Sequence, residues 1–407
     1  MRAYERLLKY VVVNTTSHEE NMANVPSGAG EFDLANLLAE EMTAVGLQGV
    51  YVDEHAYVMG FLPAAKGYES IPSIGFNAHL DTVDDLGGTD THPQVITDYD
   101  GSVIPLGTSG KALDPDQFPH LRDCVGKTLI VTDGTSVLGA DDKAGIAVIM
   151  TMVERLIRES LPHGPISVCF SPDEEIGHGA ALLDLKAFGA KYGYTLDGSA
   201  PNMVEYETFN AAQARVRFTG FSVHPGSAKG KMVNAQLLAM EFNGMLPPDE
   251  IPARTEGHEG FYHLTDSSGN TSEASLTYIL RDHDAEKFDA RKKKILGIAE
   301  KLNAKYGPGT VSCSIRDQYR NMAEVIAKYP EVVRIAEAAI RDVGLEPEFP
   351  PVRGGTDGAQ LSFRGLPCPN LGAGGYAFHG PYEHAVAEEM DQSVEILLNI
   401  VRRFTEA

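Results

Sequence analysis

The sequence predicts an α/β fold in which a doubly wound, mostly parallel sheet forms one domain and a ferredoxin-like α+β domain is inserted into it. Three observations support this prediction. The 407 residues exceed one ordinary hydrophobic core. Apolar β-prone runs alternate with amphipathic helical segments over the first half of the chain, as in parallel sheets. Near residue 208 this alternation gives way to a β-α-β-β-α-β order. We therefore assign 1–207 and 317–407 to the first domain and 208–316 to the insertion.

The first domain begins with a helix and then alternates strands with helices. A helical period of apolar residues predicts the helices, and short apolar runs predict buried strands. The predicted helices are 2–13, 31–45, 144–159, 180–188, 323–343 and 388–404, and the predicted strands are 49–52, 58–62, 73–78, 128–132, 166–170, 192–196 and 369–372. A Gly-rich turn, Ser27-Gly28-Ala29-Gly30, precedes the second helix. The long stretch 86–126 has few periodic segments, which indicates a functional loop.

The inserted domain has a complete set of elements of its own. The predicted strands are 213–219, 260–265, 273–281 and 310–315, and the predicted helices are 234–245 and 285–305. Their order is that of a ferredoxin-like domain, which buries a core without help from the rest of the chain.

Composition excludes several classes of protein. The formal net charge of −23 disfavours a nucleic-acid partner, because a polyanion would be repelled. No apolar run approaches the roughly 18 residues that a membrane span needs, and the N-terminus has the pattern of an amphipathic helix. The four cysteines form no Cys-x-x-Cys pair and are expected to be reduced thiols. We therefore predict a cytoplasmic protein.

Imidazole and carboxylate side chains cluster at the ends of the predicted strands and in a late turn. The set comprises His79, Asp81, Asp141, Asp142, Glu174, Glu175, Asp197 and His379. In open α/β sheets, ligands bind at the carboxyl ends of the strands. Burying such groups unpaired would cost several kcal/mol each, so a divalent cation is the simplest neutraliser. Mixed His and carboxylate donors suit zinc, manganese or cobalt. For the acidic run alone, the alternative is a solvated surface turn.

This set can hold two metal ions if one carboxylate bridges them at about 3.5–4 Å. Asp141 is the natural bridge because a helix begins there, and helix N–H groups stabilise a carboxylate. Asp81 lies on the same side of an extended chain as His79 and can accept its imidazole N–H. Glu174 and Glu175 point to opposite sides, so one can bind a metal while the other stays available as a base.

Several long motifs make this sequence resemble a known family. They are Asn77-Ala78-His79-Leu80-Asp81-Thr82, Leu138-Gly139-Ala140-Asp141-Asp142-Lys143, Asp173-Glu174-Glu175, Asp197, Gly354-Gly355-Thr356-Asp357-Gly358-Ala359-Gln360-Leu361-Ser362 and Gly365-Leu366-Pro367-Cys368-Pro369-Asn370-Leu371. On these motifs the chain resembles the dizinc exopeptidase and amidohydrolase family that includes carboxypeptidase G2, aminoacylase and succinyl-diaminopimelate desuccinylase. Within that family it is most similar to the tripeptide aminopeptidases, and the resemblance spans essentially the full length.

The resemblance implies a catalytic domain with two divalent metal ions, most readily zinc. The implied ligands are His79, Asp141 and Asp197 for one ion and Asp141, Glu175 and His379 for the other. Glu174 would be the general base toward the water between the metals and then the general acid toward the leaving amine. Asp81 would support His79.

The last ligand departs from the family pattern. Relatives carry a second His three residues after the ligand, where this chain has Tyr382, and His384 lies two residues further on. The spacing of His379 to Glu383 fits the family, so His379 is the predicted ligand and His384 the alternative.

The resemblance also assigns roles to the inserted domain. His224 would reach the active site of a partner subunit and steady an oxyanion, which implies a homodimer and a lid and dimerisation role. Arg281 and Arg353 are candidates for gripping the free carboxylate of a peptide. In a tripeptide that carboxylate lies about 7 Å beyond the scissile bond, so such an arginine would measure peptide length. The alternatives are a surface-loop histidine and surface ion pairs.

Taken together, these residues predict a metal-dependent aminopeptidase that releases the N-terminal residue of tripeptides. A dipeptidase or an N-acyl amino-acid amidohydrolase would use the same chemistry. From a different class, a catalytically inactive metal-binding or assembly protein stays open, although a free glutamate beside the ligands disfavours it.

Overall fold

The chain is divided into two compact units in the computed structural model, which describes residues 1–84, 86 and 90–406. The first unit comprises Met1–Tyr206, Met322–Pro350 and Thr356–Ala407, and the second comprises Glu207–Asn321 and Pro351–Gly355. Within the described residues, no helix is both long and apolar enough to cross a membrane.

Helices and strands are numbered in chain order across both units. The helices are α1 (Ala3–Tyr10), α2 (Gly30–Val45), α3 (Ala140–Arg158), α4 (Leu185–Phe188), α5 (Ala235–Gly244), α6 (Ala285–Tyr306), α7 (Ala323–Ile326), α8 (Pro330–Asp342), α9 (Asp357–Phe363) and α10 (Ala387–Glu406). The strands are β1 (Gln48–Val52), β2 (Val58–Leu62), β3 (Ile74–His79), β4 (Gln94–Ile96), β5 (Ile104–Pro105), β6 (Ala112–Leu113), β7 (Leu129–Val131), β8 (Ile166–Ser171), β9 (Tyr192–Gly198), β10 (Val204–Glu205), β11 (Asn210–Thr219), β12 (Phe261–Gly269), β13 (Glu273–Asp282), β14 (Val311–Tyr319), β15 (Asn370–Gly372), β16 (Gly375–Tyr376) and β17 (His384–Val386).

A seven-stranded sheet forms the centre of the first unit, in the order β1-β2-β8-β3-β9-β15-β10. The four strands β8, β3, β9 and β15 run parallel to their neighbours within this group. The edge strands β1, β2 and β10 pair antiparallel. The predicted α/β fold with a mostly parallel sheet is therefore confirmed.

Both faces of this sheet are covered, which explains why its central strands are apolar along their whole length. In β8, Ile166, Val168 and Phe170 enter the large core formed with α1, α2, α3, α8 and α10. Cys169 points the other way, into a smaller core with Phe188 of α4 and residues of α9. This alternation follows from the two-residue period of a strand. With both faces filled, a ligand can approach only at the strand ends.

A second, smaller sheet in the first unit was not predicted. It is antiparallel, in the order β16-β17-β7-β4. The expectation that the strand at 128–132 belongs to the parallel sheet is wrong, because β7 pairs with β4 and β17 instead. The physical reason is local: β4 comes shortly before β7 and supplies an antiparallel partner without a crossover. Of the predicted long loop 86–126, residues 87–89 lie outside the described part.

Two predicted helices of the first unit are shorter than expected. The segment 323–343 is divided into α7 and α8 by Pro330, which has no N–H to continue a helix and instead occupies the first turn of α8. Of the predicted helix at 180–188, only α4 is helical, with Asp184 accepting hydrogen bonds from two N–H groups of its first turn.

The second unit has the ferredoxin-like order that the sequence predicts. Its antiparallel sheet runs β12-β13-β11-β14. Helices α5 and α6 pack on one face, where Phe218, Phe242, Tyr278, Phe288 and Ile295 are buried. The unit therefore has a hydrophobic core of its own.

Candidate metal centre

The carboxyl ends of three neighbouring strands supply the first members of the site. His79 is the last residue of β3, and Asp197 lies near the end of β9. The segment Asp173–Glu175, which we call the acidic turn, follows β8. Because β8, β3 and β9 are parallel neighbours, their carboxyl ends meet at one edge of the sheet.

His79, Asp141 and Asp197 form one group of potential metal ligands. The Nε2 atom of His79 lies 2.9 Å from Asp141 Oδ1 and 3.7 Å from Asp197 Oδ1. The three ligand atoms all lie within 4.8 Å of one another. One imidazole and two carboxylates at this spacing match the donors of a catalytic zinc-type site.

Asp141 also belongs to a second group, with Glu175 and His379. The Nε2 atom of His379 lies 3.1 Å from Asp141 Oδ2 and 3.2 Å from Glu175 Oε1. Asp141 therefore presents one oxygen to each group, as a bridging carboxylate does in a two-metal site.

The electrostatics of both groups fit cations. Burial and the charge of Asp141 raise the pKa of Glu175 to about 7, and burial raises that of Asp197 to about 7. Hydrogen bonds to Asp141 and Glu175 raise the pKa of His379 to about 11. The converging carboxylates thus require positive charge, which the imidazoles carry here. A divalent cation in each group fits the same requirement.

Asp141 is fixed by a carboxylate to which the sequence analysis gave no role. The two oxygens of Glu383 accept hydrogen bonds from the N–H groups of Gly139, at 2.8 Å, and Asp141, at 2.9 Å. Burial raises the pKa of Glu383 to about 7. The available signal was its spacing of four residues from His379, which had been used only to choose that histidine.

The expectation that helix N–H groups hold Asp141 is wrong. Asp141 has φ −82° and ψ 104°, so the regular turns of α3 begin after it. Asp142 takes the expected part: its Oδ1 accepts the N–H of Gly145 at 3.2 Å, and its Oδ2 accepts that of His79 at 3.1 Å. Since Asp142 satisfies the helix start, both oxygens of Asp141 can face the histidines.

Asp81 contacts His79 as predicted and also holds the acidic turn. Its Oδ1 lies 3.2 Å from His79 Nδ1. The same carboxylate accepts the N–H groups of Glu174, at 2.9 Å, and Glu175, at 3.1 Å. Asp81 is fully buried, so one side chain orients an imidazole and the backbone of two glutamates.

Glu174 lies at the same edge but belongs to neither ligand group among the described residues. Burial, followed by the charge of Asp197, raises the pKa of Glu174 well above its ordinary value. The geometry is therefore that of a ligand carboxylate, Glu175, beside an uncommitted one, Glu174.

His379, and not His384, is brought to the site. His384 is fully buried in β17, with its Nε2 2.7 Å from His120 Nε2 and its Nδ1 2.8 Å from the carbonyl oxygen of Tyr382. Burial lowers the pKa of His384 to about 4. A buried histidine in a small sheet replaces the ligand role considered for it.

A further residue of this edge was visible only as part of a motif. Asp357 is buried, and its Oδ2 accepts hydrogen bonds from Asn77 Nδ2 at 3.1 Å and Ser171 Oγ at 2.5 Å. It links the glycine-rich motif at 354–362 to the ends of β3 and β8, where the acidic turn begins.

The remaining candidates lie in the second unit. His224 is exposed and accepts a hydrogen bond from Gly226 N–H at 3.2 Å. Arg353 donates from both Nη atoms to the carbonyl oxygens of Thr255, Gly257 and Glu259, and also to Thr255 Oγ1. Arg281 lies over the ring of Tyr319 and donates from Nη1 to Gln318 Oε1 at 3.1 Å and to backbone carbonyls.

Known proteins resemble this chain over nearly its whole length. The sequence model of peptidase family M20/M25/M40 matches residues 138–403. A peptidase T from Listeria monocytogenes serotype 4b is 50% identical over 404 residues, covering 99% of this chain and 98% of its own. A peptidase T from Bacillus licheniformis is 49% identical with the same coverage.

Solved structures show the same fold. Aminopeptidase PepT from Bacillus cereus ATCC 10987 has a TM-score of 0.77 at 23% identity, covering 99% of this chain and 98% of its own. A tripeptidase from Staphylococcus aureus subsp. aureus Mu50 has a TM-score of 0.78 at 22% identity and covers all of both chains. A dinuclear metal-binding peptidase of the M20 family from Bacillus subtilis has a TM-score of 0.64 at 12% identity, with 99% of both chains covered.

Proposed function

The chain belongs to peptidase family M20/M25/M40, and from this membership we propose that it releases the N-terminal residue of tripeptides by metal-dependent hydrolysis, with Glu174 as the general base. One observation carries the proposal: Asp141 offers an oxygen to each of two ligand groups, beside a glutamate that belongs to neither. The curated relatives named peptidase T, at about half identity over the full length, support the same activity.

The two ligand groups would hold a pair of divalent ions, for which zinc suits the mixed imidazole and carboxylate donors. When bound, such a pair supplies Lewis acidity and a nucleophilic water at neutral pH. The residues that would hold it are His79, Asp141 and Asp197 on one side and Asp141, Glu175 and His379 on the other. Asp81 keeps the ring of His79 oriented, and Glu383 keeps Asp141 in place.

Glu174 would move the proton. Its carboxylate takes a proton from the attacking water and later gives it to the amine that leaves. Burial raises the pKa of Glu174 well above its ordinary value, which favours holding a received proton, while cations in the two groups would lower that pKa again.

Arg281 is our first choice for binding the C-terminal carboxylate of the substrate. Its guanidinium is partly buried, burial lowers the pKa of Arg281, and no carboxylate of the described chain pairs with it. Arg353 is the second choice, because its Nη atoms already donate to the loop at 255–259. A planar guanidinium fits a carboxylate with two parallel hydrogen bonds.

His224 would act on the oxyanion from a partner subunit, which makes a homodimer part of the proposal. Its exposure, with a single local hydrogen bond, is compatible with a role completed by another chain. We also keep a cytoplasmic location, supported by four cysteines without a disulfide, three of them buried.

The deciding experiment compares unblocked tripeptides with dipeptides, N-acyl amino acids and tripeptide amides, on protein with measured metal content. We expect two ions per chain and selective cleavage of unblocked tripeptides. We expect Glu174→Gln to keep both ions and to lose about 10²–10⁴-fold in kcat. A preference for dipeptides or acylated amino acids would replace the assigned substrate, and full activity of Glu174→Gln would remove the base.

A further inference from the structure

The glycine-rich turn that precedes α2 reaches the acidic turn. Ser27 donates from its N–H at 2.8 Å and from Oγ at 2.5 Å to the carboxylate of Asp173. In return, Asp173 donates its N–H to Glu31 Oε2 at 3.0 Å, and Glu31 Oε1 accepts the N–H of Gly28 at 3.2 Å. Ser27 is 4% exposed, and Glu31 and Asp173 are fully buried. We call this reciprocal contact the Ser27–Glu31 clasp.

The clasp completes a set of bonds along the acidic turn. The N–H of Asp173 ends on Glu31, and the next two N–H groups, of Glu174 and Glu175, end on Asp81. Three consecutive backbone donors are therefore each taken by a buried carboxyl group. A backbone held on successive residues leaves little freedom in the direction of the side chains it carries.

Glycine is required for the clasp to come this close. A Cβ on Gly28 would stand 2.3 Å from the carbonyl oxygen of Thr16, and one on Gly30 would stand 1.9 Å from that of Asn14. The same strip of backbone is tied to Thr82, next to Asp81, because Thr82 N–H donates to Thr15 O at 3.1 Å and Ser17 N–H to Thr82 O at 3.0 Å. The N-terminal segment thus holds both sides of the acidic turn.

We propose that Ser27 and Glu31 are positioning residues for hydrolysis: through Asp173 they fix the backbone of the acidic turn, so that Glu174 faces the reacting water while Glu175 faces the metal group. The proposal rests on the function proposed above for Glu174. Both residues lie upstream of the stretch that the family model matches, 138–403. A displacement of about 1 Å in a catalytic group can cost about 10²-fold in rate, which sets the expected size of the effect.

The chemistry of Glu31 allows a conservative comparison. Burial and the charges of Asp81 and Asp173 raise the pKa of Glu31 to about 10, so near neutral pH it is an uncharged acid. Gln has the same size and no charge, and it also combines one accepting with one donating end. Glu31→Gln should therefore keep the clasp, whereas Glu31→Ala removes it.

The experiment compares Ser27→Ala, Glu31→Ala and Glu31→Gln with the control Ser167→Ala in full-length, metal-loaded protein. Ser167 also loses a buried hydrogen bond, from Oγ to the carbonyl oxygen of Phe188 at 2.6 Å, but it lies near the opposite end of β8. We expect Glu31→Ala to lower kcat about 10–100-fold and Ser27→Ala about 10-fold, with KM within about threefold and metal content unchanged. Glu31→Gln and Ser167→Ala should stay within about threefold of the parent in kcat.

Amide hydrogen exchange gives a readout that does not depend on activity. The N–H groups of Asp173, Glu174 and Glu175 should be protected in the parent and in Ser167→Ala, and should exchange faster in Ser27→Ala and Glu31→Ala. Unchanged kcat in both alanine variants, or unchanged exchange at the acidic turn, would overturn the proposal. If Glu31→Ala does not fold, Ser27→Ala against Ser167→Ala decides it. A parent protein inactive on tripeptides would refute the proposed function, while the exchange data would still decide the clasp.

Discussion

The two units of the chain hold their candidate residues in opposite ways. In the first unit, Asp81 is fully buried and accepts two backbone N–H groups besides contacting an imidazole. In the second unit, His224 is exposed and has one local hydrogen bond. The first arrangement is preorganised by its own fold, whereas the second is incomplete until something else binds to it. The difference indicates that metal binding is a property of the first unit and that the second contributes to substrate.

The comparison is tested most strongly at the bridging carboxylate. Asp141→Asn removes the charge that both ligand groups share, so we expect loss of at least one ion per chain and about 10³-fold or more in kcat. Metal analysis and kinetics on a tripeptide measure both effects. The exposed Asp123→Asn, on the same unit, is the matched control and should match the parent. Retention of both ions by Asp141→Asn would contradict a shared ligand.

The second test concerns the exposed histidine. His224→Ala should lower kcat about 10²-fold because a positioned donor to the oxyanion is lost. The free energy of unfolding should change by less than about 0.5 kcal/mol, as for most exposed positions. His263, exposed on β12 of the same unit, provides the control variant His263→Ala, with parental kcat expected. A parental kcat for His224→Ala would leave the second unit without a catalytic contribution.

The smallest effect concerns pH and stability, which separate a buried acid of the first unit from an exposed acid of the second. Burial raises the pKa of Glu205 to about 7, whereas hydrogen bonds from Lys305 and Tyr306 lower the pKa of Glu241. The contribution of Glu205 is therefore complete below about pH 4.5 and is lost as pH rises through 7. That of Glu241 is present above its unfolded pKa and is lost as pH falls.

Denaturant unfolding between pH 4 and 8 measures both slopes. Glu205→Gln should remove a decline on the order of 2 kcal/mol between pH 4.5 and 7. Glu241→Gln should instead weaken the loss of stability toward acid. Equal slopes in the two variants would show that burial does not distinguish these carboxyl groups.

Much of the site could be predicted because it depends on where strands end. The positions of His79, Asp197 and the acidic turn follow from three apolar runs and from the parallel order that strand–helix alternation implies. The chain-distant partners did not follow. Nothing in the sequence shows that Glu383 bonds to the backbone of Asp141, since that contact joins residues 242 apart.

The fold failed to follow the sequence where local alternatives compete. A three-residue strand such as β7 carries no signal of its sheet, and a nearby antiparallel partner decided its place. Pro330 was a readable signal for the end of a helix but lay within an otherwise helical pattern. Propensity and period therefore located most elements, while pairing among short strands depended on contacts that only the folded chain reveals.

The second unit closes on itself where the chain enters and leaves it. The N–H of Thr208 donates to the side-chain oxygen of Asn321 at 3.0 Å, so the two ends of a segment more than a hundred residues long are neighbours. A module whose ends meet can be lengthened, trimmed or exchanged during evolution without redrawing the path of the host domain. One hydrolytic core can in this way acquire new specificities by trading a cassette.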